Sequence, residues 1–232
     1  MRKIVKSTNV PATLKNAKTP TNKEEVKKDI YGAEDVREQL LKDQHYKCAF
    51  CEARIPRQYN DVEHFRPKTR YYWLGHKWEN LLYSCPICNR SYKRIEFPLA
   101  QGSVQANSSY DDIGLEKPLI INPTVVDPAD HIKFNRHVAV HVTPEGEKTI
   151  EVFHLNDNSE RPEQIEDRKT LYQKYLLELK KIKCAEAILN TPELPQDVYN
   201  MAHESLLSSS KSLELLTALN EPFSGMLIAQ KQ

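Results

Sequence analysis

The period of the apolar positions changes along this chain, and each change marks an element. Residues 1 to 29 are basic, carry no apolar period and are broken by Pro11 and Pro20, which predicts an arm that is flexible or bound to a partner. Val36, Leu40 and Leu41 share one face and predict a helix from Glu34 to Asp43. Asp61 to Phe65 reads as a short strand ended by Arg66-Pro67, Leu81-Leu82-Tyr83 as a second strand, and Asn89 to Glu96 as a short helix. A polar stretch from Gln101 to Lys117 reads as a long loop, and Leu119-Ile120-Ile121 as a buried strand. Val138, Val140 and Val142 alternate, Pro144-Glu145-Gly146 reads as a turn, and Thr149 to Leu155 alternates back, which predicts a β-hairpin. After Pro162 the pattern is helical: Tyr172, Leu176, Leu179, Ile182 and Leu189 recur at helix spacing up to Thr191-Pro192, and a further helix or pair spans Gln196 to Asn220.

Composition narrows the class. The 232 residues are 28% charged and 39% hydrophobic, ordinary for a globular protein, and no apolar run is long enough to cross a bilayer. The opening residues have no apolar core of a signal peptide, and four of five cysteines stand in pairs, which suits a reducing cytoplasm rather than a disulfide frame. Cys184, the fifth, is expected as a small apolar residue in a helix core. The net charge of +1 hides a strong asymmetry. From Arg54 to Arg94 nine basic residues (Arg54, Arg57, Arg66, Lys68, Arg70, Lys77, Arg90, Lys93, Arg94) face three acidic ones, whereas residues 151 to 232 hold nine basic and thirteen acidic. Positive charge gathered in one stretch suits a phosphate backbone, and the acidic end does not.

The chemistry lies in that basic stretch. Cys48-Ala49-Phe50-Cys51 and Cys85-Pro86-Ile87-Cys88 are two C-x-x-C pairs, the spacing with which four thiolates close a tetrahedral zinc site. Such a site has no open position, so it predicts a structural zinc and leaves chemistry to the residues it holds in place. Between and just after the pairs lie Glu63, His64, Asn80 and Asn89. A carboxylate and an amide oxygen suit a hard divalent cation, and an imidazole that titrates near neutrality suits a proton acceptor. Strand alternation would send Glu63 and His64 to opposite sides, so one site can use both only where the strand ends or bends.

Over roughly Gln44 to Phe97 the chain resembles the HNH endonucleases, whose ββα-metal core carries an acid-His pair, a middle Asn and a final His or Asn just after a C-x-x-C. Glu63 stands where Asp is commoner, and Asn89 where His is. Met1-Arg2-Lys3-Ile4, the run Val62 to Lys68, Ile121-Asn122-Pro123 and Pro222 to Met226 resemble a narrower group, the PtuB subunits of Septu-type and retron-linked phage-defence systems. The resemblance implies an α+β chain: a ββα-metal HNH core at 30–99 stapled by Cys48, Cys51, Cys85 and Cys88, a loop and β-hairpin at 100–160, and a helical region at 161–232. It implies a nuclease in which His64 is the general base, Asn80 orients the His64 loop, and Glu63 with Asn89 hold magnesium or another divalent metal. Arg66, Lys68, Lys93 and Arg94 are the expected nucleic-acid contacts; DNA is favoured and RNA, transfer RNA included, is compatible. Tyr71, Tyr72 and Trp73 can stack on bases or pack over the zinc core. The implied partners are an ABC/SMC-like ATPase, PtuA, and in some systems a retron reverse transcriptase. The competing reading is a zinc finger without catalysis that binds nucleic acid or protein, which needs the cysteines but has no use for Glu63, His64 and Asn89.

Overall fold

The computed structural model describes residues 1–55 and 61–230; Arg57, one of the nine clustered basic residues, lies outside them. Three short or medium helices open the chain: α1 (Ala12–Lys15), α2 (Lys28–Tyr31) and α3 (Glu34–Asp43). Strand β1 (Asp61–His64) pairs antiparallel with β2 (Leu81–Ser84), Glu63 opposite Leu82 and His64 opposite Leu81. A wide, π-type helix, Ile87–Lys93, begins inside the second cysteine pair and carries Cys88. A second antiparallel pair joins β3 (Ile132–Asn135) to β4 (Val138–His141), and α4 (Pro144–Val152), α5 (Pro162–Leu189), α6 (Gln196–Leu216) and α7 (Ser224–Ile228) complete the chain. The fold is therefore α+β, with a small strand pair at its centre and helices at its end.

Strand β2 organises the core because it is apolar on both faces. Leu81, Leu82 and Tyr83 are fully buried against Val36 and Leu40 of α3, Phe50, Phe65 and Tyr71. Its free edge is closed by a side chain: Gln44 Nε2 donates to the Tyr83 carbonyl and Gln44 Oε1 accepts from the Tyr83 amide, both at 2.8 Å. A buried edge left open would forfeit these backbone hydrogen bonds. Phe50, inside the first cysteine pair, stacks on Phe153 at 4.0 Å and so fixes the end of α4 to the knuckle.

Several elements depart from the periodicity. Residues 1 to 29 are folded against the body: Met1, Ile4 and Leu14 are buried, Trp78 Nε1 donates to the Ser7 carbonyl at 3.1 Å, and Lys6 Nζ donates to the carbonyls of Trp78 and Leu81. Their few apolar residues are spaced irregularly because the segment is a strap, and a strap has no period. The hairpin is also displaced. Its strands are β3 and β4, and its bend is at Arg136, whose φ is +60°. Thr143, whose side chain accepts from Gly146, caps α4, with Pro144 in its first turn beside Glu145 and Glu147. Those start signals override the alternation from Thr149 to Leu155. Gly146 is required there, since a Cβ would stand 2.1 Å from the His131 carbonyl oxygen. Ile120 and Ile121 are buried as expected but form no strand; Thr149 Oγ1 accepts from the Ile121 amide at 2.9 Å in place of a neighbouring strand.

Helices α5 and α6 pack along each other through small residues, Ala185, Ala202 and Ser209. Leu171, Tyr172 and Tyr175 of α5 and Leu216 of α6 rest on the main core, and no apolar residue between 176 and 215 joins it. Cys184 is exposed on α5, contrary to the expected core position, while its neighbour Ala185 is the buried residue there. No helix among the described residues is long and apolar enough to cross a membrane.

Candidate functional site

The cysteine pairs converge. The four sulfur atoms of Cys48, Cys51, Cys85 and Cys88 are buried and lie within 4.8 Å of one another. Cys51 and Cys85 are 3.8 Å apart. Four thiolates about 2.3 Å from a central zinc have edges of about 3.8 Å, so this quartet has the dimensions of a tetrahedral metal site. The backbone supports the charge: Cys85 N donates to Cys48 Sγ and Cys88 N to Cys85 Sγ, each at 3.4 Å. Burial opposes ionisation of Cys48, yet bonds from the other three thiols pull it well below its usual value; Cys85 and Cys88 are held up, Cys85 chiefly by its bond to Cys48 and Cys88 chiefly by burial. A bound cation favours the thiolate at every coordinating sulfur.

Arg161 was not legible as part of this centre. It is buried just before α5, its Nη2 is 3.2 Å from Cys88 Sγ, and its guanidinium lies 4.7 Å from the Tyr92 ring centroid. The first turn of the helical region is thus tied by charge to the knuckle.

Beside the knuckle, a cleft of about 720 Å³ is lined by Glu63, His64 and Asn89. Strand β1 ends at His64, the Phe65 amide donates to the Asn80 carbonyl at 2.9 Å one step beyond the His64–Leu81 pair, and Glu63 and His64 both line the cleft. Asn80 pins the turn: its Oδ1 accepts from the Arg66 amide at 2.8 Å, and its Nδ2 donates to the carbonyls of Arg66 and Leu74 at 3.1 and 3.3 Å. His64 Nε2 is 2.9 Å from the Gly75 carbonyl. A carbonyl only accepts, so Nε2 carries the proton and Nδ1 keeps the lone pair of the neutral ring. Burial pushes the His64 imidazole down to about 3, with Lys68 and Lys93 adding to the effect, so the ring is neutral at physiological pH.

Glu63 is buried, and burial pushes its carboxyl up while Lys93 opposes that shift. Lys93 Nζ lies 2.6 Å from Glu63 Oε1 and 3.0 Å from the His64 carbonyl oxygen. The expected surface contact Lys93 is therefore wholly buried, because the π-type helix turns it inward beneath the strand. Arg66 is likewise committed, its Nε 2.7 Å from Glu116 Oε2. Lys68 and Arg94 line the cleft, and so do Lys28, Tyr31 and Arg37 from α2 and α3. Tyr71 and Trp73 are buried in the core, which leaves them packing rather than base stacking.

These features define the class: a ββα-metal arrangement of two antiparallel strands and a short helix, stapled by a four-cysteine centre able to hold a metal ion. No family model matches the chain. It is similar to Septu protein PtuB of Bacillus mycoides (strain KBAB4), 33% identical over 177 residues that make up 69% of this chain and 58% of that relative. It is similar also to Septu protein PtuB of Bacillus thuringiensis, 30% identical over 193 residues, 82% of this chain and 65% of that one. The chain is a homologue of the Septu PtuB proteins and spans less than two thirds of the length of either relative.

Proposed function

We propose that this protein is a metal-dependent endonuclease of the HNH type and the cleaving subunit of an antiphage complex. The observation that carries the reading is the meeting of His64, Glu63 and Asn89 in one cleft, with the lone pair of His64 left on Nδ1 by the bond to Gly75. Nδ1 accepts a proton from a water attacking phosphorus. The Gly75 carbonyl fixes the ring and stabilises the imidazolium that results. Asn80 holds the turn that carries both ring and carbonyl. Glu63 and Asn89 offer the oxygen donors that a hard cation takes; when bound, such a cation neutralises charge on the phosphoryl and leaving oxygens. The cysteine quartet holds zinc, which fixes Asn89 through its neighbour Cys88 and takes no part in the reaction.

We infer the partner from the resemblance, and the relatives' Septu name supports it: an ABC/SMC-like ATPase, PtuA, restrains the nuclease and docks through the α5–α6 hairpin. The test is co-purification with the product of the adjacent gene, followed by incubation of the complex with DNA and with total RNA in magnesium or manganese. Cleavage that chelator abolishes and His64→Ala removes supports the reading. A complex that binds nucleic acid but leaves it intact in every metal favours the non-catalytic zinc module.

A further inference from the structure

The basic residues around the cleft are not equivalent once their partners are counted. Arg90 is spent on Asp61, holding its two carboxylate oxygens from Nε and Nη2 at 2.7 and 2.6 Å. Arg66 and Lys93 are spent on Glu116 and Glu63. Lys28 and Arg94 are exposed at the cleft wall. Lys68 has a neutral partner: its Nζ lies 2.5 Å from Tyr31 Oη and 4.3 Å from the Tyr31 ring centroid. A hydroxyl and a π face orient an ammonium without cancelling its charge. Tyr31 also meets the His64 ring edge-on, centroids 4.6 Å apart at 77°. One buried aromatic residue thus touches both the proton acceptor and a cation beside it, and it belongs to α2, outside the HNH-like stretch.

We propose that α2 is the second wall of the substrate cleft. Lys28, together with Lys68 and Arg94, binds backbone phosphates flanking the scissile one, and Tyr31 is a positioning residue that keeps Lys68 and His64 in register. The inference rests on the nuclease reading and adds the residues that grip the substrate. Because these are charge contacts from three flexible side chains, the grip is independent of sequence and sensitive to salt.

The experiment uses the full-length, zinc-loaded His64→Ala protein and fluorescein-labelled DNA oligonucleotides of two unrelated sequences, with anisotropy followed from about 50 to about 200 mM salt. Lys28→Gln and Arg94→Gln are each expected to lower the magnitude of the log K against log salt slope by about 0.7–0.9, alike for both sequences. Arg54→Gln, which lies off the cleft, should leave the slope unchanged. In the protein that retains His64, Tyr31→Leu should lower kcat more than it raises KM, and Tyr31→Phe, which keeps the ring, should restore kcat while KM stays high. Unchanged slopes in Lys28→Gln and Arg94→Gln, in a His64→Ala protein that binds DNA and whose His64 parent cleaves it, overturn this inference and leave the nuclease reading intact. A parent protein that binds neither these oligonucleotides nor their RNA counterparts overturns both.

Discussion

Lys93 Nζ sits 2.6 Å from Glu63 Oε1, and both side chains are removed from solvent. The pair joins the helix after the second cysteine pair to the strand before the first Asn of the site. Its removal leaves a buried carboxylate with no counter-charge, which typically destabilises by about 3–5 kcal/mol. Lys93→Met is expected to lose stability of that order in denaturant unfolding at constant zinc. Adding Glu63→Gln to Lys93→Met should recover part of the loss, because the stranded charge is gone. A single variant within about 0.5 kcal/mol of wild type, the usual range for surface substitutions, would falsify the role given to this pair.

His64 gives the second prediction, through pH. Its folded pKa is held at about 3, against an ordinary value near 6.5 in the unfolded chain. Below 6.5 the unfolded chain takes up a proton that the folded chain refuses. The contribution to stability is therefore complete above that value and is lost as pH falls from there towards 3, at about 1.4 kcal/mol per unit. His64→Gln lacks this slope. Unfolding free energies of the two proteins, compared between about pH 6.5 and 5 with zinc supplied, should diverge in that direction; parallel curves would show that the ring titrates normally in the folded chain.

How much of this was legible depends on the range of the interaction. The cysteine quartet is legible because thiolate spacing is a local signal, as are the short apolar runs of β1 and β2, whereas β3 is not anticipated. Glu63, His64, Asn80 and Asn89 were legible as a set only through the HNH resemblance, since no one of them has a distinctive period. What the sequence hid is tertiary pairing. Lys93 looks like any lysine after a zinc knuckle until the wide helix turns it inward, and Arg161 stands 73 residues beyond the cysteine it touches. The strap at the start of the chain is hidden for the same reason, since Lys6 reaches the carbonyls of Trp78 and Leu81 only in the folded chain.

Arg161 supplies the third prediction. Its Nη2 lies 3.2 Å from Cys88 Sγ, and its charge faces a cluster that carries two net negative charges when four thiolates hold zinc. Such outer contacts commonly alter metal affinity by about 10–100-fold. Arg161→Met should lose zinc to a chromogenic chelator at least about tenfold faster than wild type. Cys184→Ser, on the exposed face of α5, should match wild type. Cys88→Ser is expected to yield insoluble protein, because metal binding in so small a unit is folding free energy. Equal rates for Arg161→Met and wild type would mean that the guanidinium leaves the metal centre unaffected.

The last prediction concerns the hairpin of α5 and α6. Its distal part does not join the main core, yet it presents Leu177, Met201 and Leu207 at 52, 71 and 59% exposure. Apolar side chains held this far out of a core contribute little to folding, so charging them tests docking without unfolding the chain. The strap of residues 1 to 29 is a poorer docking element, because Lys6 and Trp78 already tie it to the body. A stable contact with the proposed ATPase partner would bury about 1,200–2,000 Å² in total. Leu177→Glu with Met201→Glu should abolish co-purification while zinc content and thermal midpoint stay at wild-type values. Retained co-purification with both charges in place would move the docking surface elsewhere, and an unfolded double mutant would show that these residues belong to a core after all.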